Sequence, residues 1–286
     1  MKIAVFYCIL ILVTLKGNYS FSQTDNPKKI LCECYSLYQQ GKENKDIVTY
    51  LNDNSKSLKK DELYSIFDSL ILTAYKKADY DASFDFTIGK IDNGYVHIMV
   101  LEDSIASFFR TYHPDKYQSL EQTVNKKFVE KSLKFFPNIN LELAFTIRHL
   151  FRLDQRTKLP SFTQNDKKTL DSLRLLSMQQ DSITESVLGS IFENYGYPGL
   201  SLIGEESSSV YVLMLHLGTE FQIKYVHLVQ EAILKKQLYS DLNFLVDKIL
   251  HKCCNKTIYG TMWSRYSPVT SDPNEVKKLK DLLKIL

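Results

Sequence analysis

The amino-acid sequence predicts a mainly α, multi-helix globular fold. Apolar residues recur at helical spacing along most of the chain, and helix start and stop residues bracket those runs. Only residues 84–100 have a strand-like composition.

In chain order, residues 27–40 place Ile30, Leu31, Cys34, Leu37 and Tyr38 on one stripe, and residues 47–51 form a short second element. Residues 58–77 carry Leu63, Ile66, Phe67, Leu70, Ile71 and Ala74 at i, i+3, i+4, i+7, i+8 and i+11. Between 84 and 100, Asp92-Asn93-Gly94 separates two segments rich in Ile, Val, Phe, Thr and Tyr. Asn-Gly suits a tight turn, so one short β-hairpin is expected there. Helical spacing resumes over 103–112, 116–136 and 141–153, and Lys158-Leu159-Pro160-Ser161 reads as a loop. A long helix is expected from Asp166 to about residue 194. Residues 195–209, with Gly196, Pro198, Gly199 and Gly204, give the densest loop signal. One helix is expected over 210–236, another over 239–253, and a last one starting at Asp272-Pro273.

The first residues read as a secretion signal. Met1-Lys2 is followed by an apolar run from Ile3 to Leu15 and then by Ser20-Phe21-Ser22-Gln23, with small residues placed for cleavage after Ser22. The run is shorter than the roughly 20 residues of a spanning helix. The expectation is therefore an exported protein, periplasmic or extracellular, not inserted in the membrane after the signal is removed. The organisation expected is a signal peptide at 1–22, an N-terminal helical module at 23–138 and a C-terminal helical domain at 139–286.

Setting aside residues 1–22 of 286 leaves 264, and removing Lys2 and Lys16 from 36 basic residues leaves 34 against 33 acidic ones. Charges of both signs are interspersed, which argues against nucleic acid as a partner. The remaining cysteines are Cys32 and Cys34, then Cys253 and Cys254. Export favours a disulfide tying the first pair to the second, with free thiols and a metal site as alternatives. No cofactor or metal motif is present.

Polar motifs gather in the second half: Asp154-Gln155-Arg156, Asp181, Tyr195-Gly196-Tyr197-Pro198-Gly199, His216 and Tyr259-Gly260-Thr261. His216 suits proton transfer, with Asp154 or Asp181 to orient it, and Arg156 suits an anionic group. Gln155, Tyr195, Tyr259 and Thr261 are candidate ligand contacts. Against each stands a plainer role: packing for the histidine, capping for the carboxylates, a salt bridge for the arginine. His227 lies 11 residues beyond His216, too far along one helix to share a metal.

Together these motifs resemble a bacterial family of domains of unknown function. Its pattern runs Asp-Gln and Arg, Asp-x-x-Asn, Tyr-Gly-x-Pro-Gly, Gln-His and Tyr-Gly-Thr-Gln, and the resemblance covers residues about 140–280. Thr184, Leu215 and Met262 stand where that pattern has Asn, Gln and Gln. The resemblance implies a set of positions and no reaction. Three readings follow: a module binding a small molecule or protein, a hydrolase-like enzyme using His216 with Asp181 or Asp154 and Arg156, or a purely structural helical domain.

Overall fold

A computed structural model describes residues 27–56, 58–163, 166–261, 269–270 and 272–283. The expected signal at 1–22 lies outside these residues, as does Met262. The described chain is mainly helical and contains no strand; one isolated bridge joins Thr257 and Val269. No helix among the described residues is long and apolar enough to cross a membrane. The chain divides into two compact units, one ending at Tyr95 and the other beginning at Val96. The boundary expected near 138 therefore falls inside the second unit.

The first unit packs α1 (Pro27–Gln39), α2 (Asn44–Asn54), α3 (Lys60–Lys76) and α4 (Tyr80–Asp92) around Cys34, Ile47, Leu51, Phe67 and Phe86, all fully buried. Helix α4 replaces the expected hairpin. Asp79 caps it, accepting from the Ala82 amide at 3.1 Å, and Ala82, Phe86 and Lys90 recur at i, i+4 and i+8 on its buried face. Strand-forming residue types thus sit at a helical period, and the period prevails. Asn93-Gly94 ends this helix: Gly94 takes φ 96°, and its amide donates to the Ile91 carbonyl at 2.8 Å. Gly89 keeps α4 close to its neighbours, since a Cβ there would lie 3.0 Å from the Phe67 ring and 3.1 Å from Val48.

The expected bridge between the cysteine pairs is not formed; all four are free thiols. Residues i and i+2 of a helix point about 200° apart, so α1 buries Cys34 while Cys32 faces solvent. Burial pushes the Cys34 thiol up to about 12. Peptide mapping after iodoacetamide treatment at pH 8 is therefore expected to find Cys32, Cys253 and Cys254 alkylated and Cys34 untouched until denaturant is added. Alkylation of native Cys34 at the rate of Cys32 would contradict this packing.

In the second unit, a 3-10 turn (Ile98–Leu101) leads to α5 (Ser104–Tyr112), α6 (Pro114–Phe135), α7 (Leu141–Thr163) and α8 (Lys167–Tyr195). Helix α7 continues through the segment expected to loop at 158–161. Pro160 removes one main-chain donor. The helix is held against α8, where the Lys158 ammonium meets both oxygens of Asp181 at 2.9 and 2.8 Å. Asp154 and Lys158 thereby share one face, one turn apart.

The glycine-rich stretch folds as α9 (Leu200–Ile203) and a 3-10 turn (Gly204–Glu206). A Cβ on Gly199 would fall 2.4 Å from that of Gln237, and the Leu200 amide donates to the Gln237 carbonyl at 2.8 Å. These glycines serve close packing of the chain on itself. The expected single helix over 210–236 is two, α10 (Ser207–His216) and α11 (Thr219–Leu234), before α12 (Leu242–Cys254) and α13 (Pro273–Leu283). The break is at Gly218, whose amide donates to Glu185 at 2.8 Å; a Cβ there would meet that same oxygen at 2.8 Å. His216 and His227 consequently lie on different helices, and His227 is exposed.

Candidate functional site

The strongest polar contact between distant candidates joins α7 to the last residue of α10. Asp154 Oδ2 lies 2.7 Å from His216 Nδ1 and also accepts from Gln155 Nε2 at 2.7 Å. The carboxylate side chain is 2% exposed and the imidazole 27%. A buried carboxylate acceptor places the imidazole proton on Nδ1 and leaves the lone pair on Nε2, the tautomer a general base requires.

The main chain around His216 is tied down by three other helices. Gln222 of α11 donates to the Met214 carbonyl at 2.8 Å and to that of Leu215 at 3.3 Å. Lys248 of α12 donates to the Leu215 carbonyl, and Glu185 of α8 accepts from the Gly218 amide. These contacts satisfy carbonyls that the end of α10 leaves without helical partners. Burial holds the Lys248 ammonium below the ordinary lysine range, with Lys252 and Lys158 adding like-charge repulsion and Asp154 and Asp181 opposing it. Asp154, Lys158 and Asp181 thus all act electrostatically on Lys248.

Other candidates are engaged elsewhere. Arg156 donates to Glu102 through Nε at 2.8 Å and Nη2 at 3.1 Å, and Glu102 also accepts from Arg152 and Arg110. This buried carboxylate makes Arg156 part of a bracket joining α5 and α7. Asp181 pairs with Lys158, so the oriented histidine takes Asp154 as its partner. Tyr195 is exposed at the end of α8. Tyr259 and Thr261 lie in a loop built on the fully buried Asp247. That carboxylate accepts the main-chain amides of Ile258, Tyr259 and Thr261 at 2.8, 3.0 and 2.7 Å, and the Thr261 hydroxyl at 2.8 Å. Thr184 is buried and accepts from Gln180 at 3.2 Å.

The sequence reading did not single out Lys158, Lys248, Asp247, Gln222 or Glu185. Lys158 had a readable signal, since it follows Asp154 by four residues. The other four become meaningful only once the helices meet. Among the described residues no group of three or more His, Cys, Asp or Glu side chains is placed to hold a metal ion. No family model, curated protein or solved structure matches this chain.

Proposed function

We propose that the second unit is a hydrolase-like acid–base centre in an exported protein, with His216 as base and Asp154 as its orienting carboxylate. One observation carries this reading: the 2.7 Å contact between a buried carboxylate and a part-exposed imidazole contributed by distant stretches of chain. In the reaction envisaged, Nε2 takes a proton from water as the water oxygen attacks an ester-like centre. The bond to the leaving group breaks, and the imidazolium returns the proton to that group. General-base catalysis of this kind contributes about 10²–10⁴-fold. The leader-like residues 1–22 support export. Asp154, Gln155 and His216 all belong to the motifs shared with the domain-of-unknown-function family, and their meeting supports including membership of that family in the proposal.

The experiment is a hydrolysis screen with p-nitrophenyl acetate, butyrate and phosphate on the native chain and His216→Ala. Native turnover that falls at least about 100-fold in the variant is expected; equal turnover ends the catalytic reading. Binding without turnover is the second reading, favoured by Leu215 and Thr184, an apolar and a short side chain where the motif pattern has amides that could hold a developing charge.

A further inference from the structure

Lys248 is a part-buried cation of this neighbourhood that, among the described residues, lacks a carboxylate. Lys158 is matched by both oxygens of Asp181, and Asp154 Oδ2 already receives His216 and Gln155. The Lys248 ammonium instead donates to a neutral oxygen, the Leu215 carbonyl, one residue before His216. Among the described residues no acidic group lies within ion-pair distance of it. Its side chain is half-buried, and Lys252 and Lys158 add positive charge around it. A part-buried ammonium with only a carbonyl partner carries a desolvation cost that no protein counter-charge offsets. Such groups concentrate where a ligand supplies the missing charge.

We propose that Lys248 is the anion-binding residue of the His216 site, and that the site takes a small substrate bearing an anionic oxygen group, carboxylate or phosphate. This rests on the reading of His216 as the working base and adds the substrate class. An ammonium donates to any anionic oxygen as a compact point charge, so it accommodates both groups. Lys158 stays matched to Asp181 and serves as a second, screened charge. The charged groups acting on Lys248 are Asp154 and Lys158 from α7, Asp181 from α8 and Lys252 from its own helix, α12, and of these Asp154 touches His216.

The test titrates inorganic phosphate and, separately, acetate into the full chain while NMR follows the His216 ring and the Lys248 ε-methylene. Saturable shifts at both residues are expected, with the phosphate and acetate arms identifying the preferred anion. Lys248→Met is expected to weaken binding about tenfold or more, and Lys248→Arg to retain it, as for loss and preservation of a charge-assisted hydrogen bond. Thermal unfolding of each variant verifies folding. Should Lys248→Met fail to fold, Lys248→Gln replaces it with the same expected loss. Native-like binding by a folded Lys248→Met or Lys248→Gln overturns the proposal, as does the absence of shifts at both residues with both anions. The catalytic reading is judged separately. Lys248-dependent anion binding without turnover removes that reading alone, whereas His216-dependent hydrolysis with anion binding indifferent to Lys248 removes this inference alone.

Discussion

Replacing Asp154 with asparagine is expected to lower His216-dependent hydrolysis about 10²–10⁴-fold while the protein stays folded. The substitution preserves shape and retains an oxygen that can accept from Gln155 and from the imidazole. It removes the negative charge that stabilises the imidazolium formed when the base takes its proton, and it admits an amide N–H in place of an acceptor. In the native chain a carboxylate oxygen 2.7 Å from Nδ1 compels that nitrogen to donate. In the variant, an amide rotated about its bond donates instead, and Nε2 then carries the proton and can no longer act as base. Long-range ¹H–¹⁵N spectra read this directly, with one Nδ1–H tautomer in the native chain and a mixture in Asp154→Asn. Gln155→Ala removes only a neutral donor to the same oxygen, and its effect is expected to stay within about tenfold, near the net value of one hydrogen bond. Equal rates for native and Asp154→Asn, with native turnover still dependent on His216, would make Asp154 a packing residue.

How much of this was legible in the sequence follows from which interactions are local. Helices such as α3 and α6 are written in short-range periodicity, and the sequence places them within about two residues. Residues 84–100 mislead because β-branched and aromatic types suggest strands, while the burial of Ala82, Phe86 and Lys90 at helical spacing decides the outcome. Asn-Gly is ambiguous for a physical reason: a residue with positive φ serves a hairpin turn and a helix end equally well. The loop expected at 158–161 rested on Pro160, and packing of α7 on α8 overrode it. At the site, Asp154 and His216 were readable as residue types capable of proton chemistry, and the fold brings them together. Arg156 was equally suggestive, yet its partner Glu102 lies 54 residues away. Nothing near Arg156 in the sequence announces that carboxylate. Lys248 was invisible for the same reason, since its significance comes from the Leu215 carbonyl and from the acids already matched to others.

The largest expected effect on stability is at Arg148, and it bears on the site through the same two segments. The Arg148 guanidinium meets Glu206 at 2.5 Å, stacks 3.9 Å over the Phe128 ring, and its partner accepts from the Ser209 hydroxyl at 2.7 Å. Both side chains are almost wholly buried, and burial lowers the arginine from its ordinary range despite the carboxylate beside it. Removing one partner leaves the other charge in a dry interior, so Arg148→Met is expected to lose about 3–5 kcal/mol in urea unfolding. Arg148→Met/Glu206→Met removes both charges and is expected to recover most of that loss, because a buried pair contributes little beyond an apolar filling. Additive losses in the double variant would show that Glu206 stabilises through Ser209 and the helix start it precedes, with no dependence on the arginine. Arg148 and Asp154 both belong to α7, while Glu206 leads directly into the helix that ends at His216. The ion pair and the Asp154–His216 contact are therefore two pins through one pair of elements. If the double variant regains stability and hydrolysis together, apolar packing suffices to align base and carboxylate. If it regains stability without hydrolysis, the fixed geometry of the ion pair sets the position of His216, and the first pin is part of how the second one works.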